Sequence, residues 1–407
     1  MRLPPIDDPR GWVQEHLGDL ALEDEVAASP RFRGGQTAAD TALALWSPRG
    51  YANARNKVWP EEARGASRLS PWIRHGLIGL RQLWDHVEPA PKRDREKLRD
   101  ELLWQEHARH LHARLGPRLG QALRFAPARA PGPRWEEPWP REMACMALVA
   151  GELERDGWVV NQARMWLSSQ WAVRAGHDWR EGERRMHAHL LDGSRAANRL
   201  GWQWTVGTAI GRPYGFARWQ VEKRAPGLCD TCPLRERCPI EAFPEAVAGP
   251  PVEAPPRLRA DPDPEATGGP REPVQRGVPE AVWLTAESLG DADPALAAHP
   301  GLPAVFVFDE PYLRSTPVSG KRLVFLAECL ADLAGRRPVE VLRGDPRAVL
   351  GARPLAATWT PVAGWRRRAR ALDLVAVHPW PWLVRPHGGP AQSKTAWQRA
   401  IPKGERP

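Results

Sequence analysis

A chain of 407 residues with 42% hydrophobic and 26% charged content is long enough for two or three domains and is neither fibrous nor wholly disordered. Its opening, MRLPPIDDPRGW, lacks the apolar core of a secretory signal, and no stretch approaches the roughly 18 uncharged apolar residues that span a bilayer. A cytoplasmic monomer without membrane contact is therefore expected, and a net charge of +9 favours a polyanionic partner.

Residues 1–35 read as an N-terminal extension. The next periodic segments predict helices: TAADTALALW (37–46), SPWIRHGLIGLRQLWDHV (70–87), REKLRDELLWQEHARHLHARLG (95–116) and REMACMALVAGELERDGW (141–158). On the helix through NQARM, Asn161 and Met165 lie four apart and share a face with Arg164, which brings an amide, a soft thioether and a cation to one side. DGSRAAN then predicts a turn holding Asp192 and Asn198, ahead of an aromatic strip with Trp202 and Trp204. Such groups can line a cavity for a flat ring system with polar edges. The chain holds 21 Trp against 3 Tyr and 7 Phe, a bias that packing alone does not require.

Five cysteines are too few for a disulfide framework. CDTCPLRERCP bunches Cys229, Cys232 and Cys238, and three thiolates with a remote fourth, Cys145, are a way to hold an iron-sulfur cluster, with zinc as the alternative. Residues 246–279 are crowded with Pro, Gly and charge and predict a semi-extended linker. Beyond it, VWLTAES (282–288), AVFVFDE (304–310), VEVLR (339–343) and LDLVAV (372–377) alternate with helical stretches such as GKRLVFLAECLADLAG. There Leu323, Leu326, Leu330 and Leu333 form an apolar stripe, and Cys329 beside it reads as an inert core thiol. The expected fold is a mainly α domain over 36–245 that includes the cysteine group, plus a smaller C-terminal α/β domain with a parallel sheet over 280–395 and a tail from 396 to 407.

Three further motifs occur in order, GWVVNQARM, DWREGE and DGSRAANRLGWQW, preceded by GASRLSPWIRHG (65–76) and ELLWQEHARHL (101–111). Over residues 36–221 this set resembles the FAD-binding core of the DNA photolyase and cryptochrome family. The resemblance implies FAD in the helical domain, with Ala66, Ser67, Arg68, Leu69 and Ser70 cradling its phosphates and Tyr51 on the phosphate side. It places the pair Arg164 and Asp192 beside the isoalloxazine and Asn198 opposite flavin N5. It also implies a lesion-facing wall of Glu101, Trp104, Asn161, Met165 and Trp204. Indoles stack on flipped-out bases, Met fills the gap between them, and Glu and Asn bond the base edges.

Trp202 and Trp179 match the proximal positions of the family's electron relay, and Trp135 or Trp139 is the candidate for the distal one. Arg55 and Arg218 are candidate clamps on DNA phosphates. The activity implied is light-driven repair of cyclobutane pyrimidine dimers in UV-damaged DNA, a carbon-carbon lyase reaction in which reduced FAD supplies the electron. A cryptochrome-like blue-light photoreceptor, and a cluster-containing nucleic-acid binder without photochemistry, are the alternatives. Cys145, Cys229, Cys232 and Cys238 resemble the 4Fe-4S ligands of one photolyase subgroup. The C-terminal α/β segment resembles the antenna domain that normally opens these proteins, so a circular permutation is implied, and its TAES sequence identifies no antenna chromophore. Ser194, Ala66, Gln105 and Gln162 depart from the family pattern.

Overall fold

The computed structural model describes residues 1–362 and 364–407. Its first part is helical: α1 (Pro9–Leu17), α2 (Gln36–Leu45), α3 (Tyr51–Ala54), α4 (Ser70–Arg74), α5 (Leu80–His86), α6 (Lys92–Leu115), α7 (Ala144–Asp156), α8 (Asn161–Ser168), α9 (Trp179–His189), α10 (Arg195–Thr205) and α11 (Arg218–Arg224). The single helix expected over 70–87 is two helices. Gly76 turns the chain through a left-handed conformation (φ +76°) between them, and a Cβ at this position would stand 2.3 Å from the Glu287 carbonyl oxygen. The longest helix, α6, buries an unusual face for its sequence, since Glu106, His107, His110, His112 and Arg114 all lie inside with Leu98, Leu102 and Leu111.

The second part holds α12 (Pro264–Gly268), α13 (Pro294–Ala298), α14 (Glu310–Ser315), α15 (Gly320–Ala334), α16 (Pro346–Leu350), α17 (Trp365–Ala369) and α18 (Lys394–Arg399) around a six-stranded sheet. The strands are β1 (Val274–Gln275), β2 (Ala281–Leu284), β3 (Ala304–Asp309), β4 (Val339–Gly344), β5 (Leu355–Thr358) and β6 (Leu374–His378), in the order β1-β6-β5-β2-β3-β4. All neighbours pair parallel except β1, which runs antiparallel on the edge of β6. The order reverses between β2 and β5, as in a doubly wound sheet. Side chains alternate along the strands. Val282, Leu284, Phe306 and Phe308 join the core shared with the helices, while Ala281, Trp283, Val305 and Val307 pack with Trp359 and Trp365 in a second core on the far face.

Two segments differ from the sequence expectation. Residues 246–279 are laid along the body of the protein: Val247 and Pro251 bridge to Arg129 and Phe125, and the segment goes on to supply α12 and the edge strand β1. The N-terminal extension joins the sheet layer, because α1 packs on α15, the Leu3 amide donates to the Val341 carbonyl at 2.9 Å, and Asp19 pairs with Arg343 at 2.7 Å.

The two halves meet through buried polar contacts as well as apolar ones. Arg74 pairs with Glu287 at 2.6 Å, and the adjacent His75 bridges the halves, with its two nitrogens 2.6 Å and 3.0 Å from the carbonyls of Ala286 and Leu191. Burial holds the His75 pKa down at about 4. Arg322, fully buried on α15, donates to the His187 and Leu190 carbonyls at the end of α9.

Candidate functional site

Helix α10 packs against both α6 and α8, and the three present the five residues expected to form the wall. Glu101 and Trp104 stand one turn apart on α6; the Glu101 carboxylate is held by Lys97 at 2.9 Å and Arg55 at 3.2 Å, and Trp104 is 39% exposed. Asn161 opens α8 with an exposed side chain, and its amide reaches the Met165 sulfur at 3.8 Å one turn later. Trp204 on α10 is half-buried and packs 5.7 Å from the ring of Tyr214, whose hydroxyl accepts a hydrogen bond from Gln162 at 2.8 Å. All five are therefore exposed or half-exposed, although each lies on a helix buried on its other side. Arg55, expected to face DNA, is instead turned onto Glu101 and the Ala52 carbonyl.

The residues expected to hold FAD are only partly free for it. The ASRLS turn is tight, with Arg68 in the left-handed region (φ 58°), where its side chain pairs with Glu61 at 3.3 Å. Ala66 and Ser67 are half-buried, Leu69 is buried, and the Ser70 hydroxyl accepts the Trp158 indole N–H at 2.9 Å. Tyr51 is buried, which raises its hydroxyl pKa. Arg164 and Asp192 form the expected ion pair at 2.7 Å, and the second oxygen of Asp192 is buried without a protein partner. That orphaned acceptor beside a half-buried guanidinium suits a polar ring edge. Asn198 is a correction to the sequence reading: it sits within α10 rather than in a turn, and its amide donates to the Glu183 carboxylate at 2.9 Å and to the Glu183 carbonyl at 3.0 Å. Glu183, the last residue of the DWREGE motif, to which the sequence reading gave no role, is anchored in turn by Arg195 at 2.8 Å.

Trp202 and Trp179 are both buried with unpartnered indole nitrogens. Trp171 is a further indole close to Trp202. Both indoles crowd Gly182, with atoms 2.2 Å (Trp202) and 2.8 Å (Trp171) from where its Cβ would be. Trp171 lies on a π-helical turn, Ser169–Arg174, and meets Trp139 edge to face at 5.0 Å, with Arg185 over both rings. Of the indoles Trp202, Trp171 and Trp139, the first and last were named from the sequence, and Trp171 could have been suspected only from the excess of tryptophan.

Cys145, Cys229, Cys232 and Cys238 line one small pocket together with Met143, Leu234 and Ile240. Burial, reinforced by the other three sulfurs, pushes Cys145 up to about 12. Among the described residues, no three His, Cys, Asp or Glu side chains converge as ligands of a single metal ion. Arg218 lines the same cavity and is committed to Glu222 at 2.9 Å and Glu241 at 3.2 Å, so its expected role on DNA phosphate has no free guanidinium behind it. Cys329 is buried, as expected of a core thiol, and accepts the Gly35 amide N–H at 3.2 Å.

Residues 98–220 match the protein family described as the FAD binding domain of DNA photolyase. The deoxyribodipyrimidine photo-lyase of Synechococcus sp. is 31% identical over 202 residues, covering 43% of this chain and 39% of that protein. That of Vibrio cholerae is 30% identical over 223 residues, covering 50% and 47%. Cryptochrome DASH of Idiomarina loihiensis is 25% identical over 233 residues, covering 53% and 49%. The chain thus spans less than half the length of these curated relatives. A bacterial class III photolyase from Agrobacterium tumefaciens shows 23% identity and a TM-score of 0.41 over 54% of this chain and 46% of its own. No helix is long and apolar enough to cross a membrane among the described residues. The sequence matches support the photolyase and cryptochrome family for the helical half of the chain, through its FAD-binding domain.

Proposed function

We propose that this protein repairs cyclobutane pyrimidine dimers in UV-damaged DNA by light-driven electron transfer. The observation that carries the reading is that the stretch matching the FAD-binding family, residues 98–220, holds all five wall residues and the Arg164–Asp192 pair. FAD held there supplies the photochemical electron. The protein's own part is positioning. Arg164 and the free oxygen of Asp192 orient the ring edge, and the Ser67–Ser70 turn faces the phosphates. Trp104 and Trp204 offer indole faces to two bases taken out of the stack, and Glu101, with its charge fixed by Lys97 and Arg55, accepts from a base edge. Glu183 fixes the Asn198 amide by accepting both of its hydrogen bonds, which would leave the Asn198 side-chain carbonyl oxygen for a bound flavin edge. Trp202, Trp171 and Trp139 would form a relay to a bound flavin, with Trp179, named from the motifs, as the alternative next member after Trp202.

The four cysteines are read as ligands of a 4Fe-4S cluster rather than of zinc. They line one pocket, and three clustered thiols with a remote fourth follow the pattern of cluster ligands. The C-terminal sheet is read as an antenna-type domain placed after the helical one. The intact wall favours repair over signalling, which would not need it. The test is an absorption spectrum with and without blue light, a reductant and a thymine-dimer oligonucleotide. Flavin bands with light-dependent loss of dimers support repair, flavin reduction without loss supports a photoreceptor, and no flavin overturns both. Trp104→Ala is expected to impair repair far more than FAD retention.

A further inference from the structure

After β6 the chain does not end on the sheet. Residues 379–401 cross to the helical half and lie along α6, on the face opposite the one that packs its apolar residues. The fastenings are specific. Glu106 accepts the amides of Leu383 at 2.6 Å and Val384 at 3.0 Å, and His110 contacts the Val384 carbonyl at 2.7 Å. His107 contacts the Ala391 carbonyl at 3.0 Å, and Arg114 donates to the carbonyls of His387 at 2.7 Å and Gly389 at 2.9 Å. The Trp397 indole donates to His110 at 2.9 Å.

This strap delivers Lys394 to the one large aromatic side chain of α6 that is exposed. Lys394 is 6% exposed, its ammonium is bonded to Asp100, and it stands 5.8 Å from the centre of the Trp104 ring. A buried cation is costly, and Lys394 is also the first residue of α18, the end of a helix where a positive charge is least favourable. Nothing in the packing of the strap calls for it there, since Trp397 and the backbone bonds already hold that segment. A single salt bridge at the edge of the protein would be served as well by an exposed lysine.

We propose that Lys394 is a positioning residue for Trp104. Its cation lies against the indole and fixes one rotamer of a side chain that would otherwise swing on an open helix surface, so that the ring is set in advance for a stacked base. The inference deepens the dimer-repair reading and rests on it for what Trp104 does, but the immobilisation of the ring is independent of any ligand.

The test uses the full chain labelled with 5-fluorotryptophan, with the Trp104 ¹⁹F resonance assigned through Trp104→Phe. In Lys394→Met the Trp104 resonance is expected to move toward the averaged value of an exposed indole while the resonances of buried tryptophans stay in place, and Lys394→Arg, which keeps a cation over the ring, is expected to restore it. Asp100→Asn loosens the same ammonium from the α6 side and gives the comparison should Lys394→Met not fold. An unchanged Trp104 resonance in the folded variant overturns the proposal. In a second arm, binding in the dark to a dimer-bearing oligonucleotide is compared with binding to its undamaged twin. Lys394→Met is expected to lower the preference for the dimer about 3- to 10-fold, and an undiminished preference overturns the functional part. Trp104→Ala separates the two readings: if it too keeps the full preference, the dimer-stacking role of Trp104 falls while the effect on the resonance stands.

Discussion

Replacing Glu106 by Ala removes the only acceptor of two buried amides. Leu383 and Val384 are themselves inside the protein, and their N–H groups point at one carboxylate oxygen, at 2.6 Å and 3.0 Å; the other oxygen lies 3.6 Å from Arg109. An unpaired buried amide costs about 1–3 kcal/mol, so the two together cost about 2–6 kcal/mol, with a further loss from leaving Arg109 without its partner. Domain stabilities of about 5–15 kcal/mol make this a large fraction of the whole. Glu106→Gln keeps an oxygen for both amides and loses only the charge, so about 1 kcal/mol is expected from it. Urea unfolding of the full chain measures the first quantity. Limited proteolysis measures the second consequence, release of residues 379–401 before the rest unfolds. If Glu106→Ala unfolds within about 0.5 kcal/mol of the parent and the strap is cleaved no faster, the carboxylate is not what fastens it.

Three other outcomes are expected. His75, His107 and His112 are each lowered to about 4 by burial, against about 6.5 in an unfolded chain. The folded state therefore binds fewer protons than the unfolded one between these values, and stability falls as pH drops below about 6.5, by up to about 3 kcal/mol for each histidine. Asp293, raised to about 6 by burial, and Glu106, Glu152 and Glu328, also raised by burial, work in the opposite direction. Six further histidines, His110, His187, His189, His299, His378 and His387, are however lowered along with these three. Calorimetry should show Tm falling from pH 7 to pH 5, and a flat profile would contradict this. Cys145→Ser should abolish bound iron and its broad visible absorption while Cys329→Ser leaves both intact; equal iron in the two variants would remove Cys145 from the ligand set. Trp171→Phe should slow light-driven flavin reduction by an external thiol more than Trp179→Phe does, without changing dimer repair by chemically reduced protein. The reverse order would return the relay to Trp179.

What the sequence made legible follows from how strongly each element is determined locally. The helix α6 and the stripe Leu323, Leu326, Leu330 and Leu333 on α15 carry their own periodicity. The short strand β5, LAAT, is invisible because a strand covered on both faces, with two alanines at its centre, shows neither alternation nor a β-branched run. The break at Gly76 could not be placed because its cause, the Glu287 carbonyl, lies 211 residues away in the chain. At the site, Arg164 and Asp192 could be named from motifs, and the structure pairs them at 2.7 Å. Glu183 behind Asn198, Trp171 between two other indoles, and Lys394 against Trp104 were not readable, because each matters only through a contact made by the folded chain.

The polar face of α6 shows how the two halves depend on each other. Read alone, a helix with Glu106, His107, His110 and Arg114 along one side looks solvated there, and its own apolar stripe appears enough to dock it. In the folded chain these groups are buried, and most of their partners come from the C-terminal strap. The N-terminal extension makes the reciprocal connection, giving the Leu3 amide and the Asp19 carboxylate to β4 and α1 to α15. Each half is thus closed by an end of the chain that starts or finishes beyond the other, and a helix whose buried carboxylate and guanidinium lost those partners would expose unpaired polar groups to an apolar core. The helix that presents Glu101 and Trp104 is for this reason held on two sides: by α3 and α10 of its own domain, and by a strap that cannot leave without stranding Glu106 and Arg114. The exposed Glu101 and Trp104 thus stand on a helix whose second support lies outside the segment where the motifs are found.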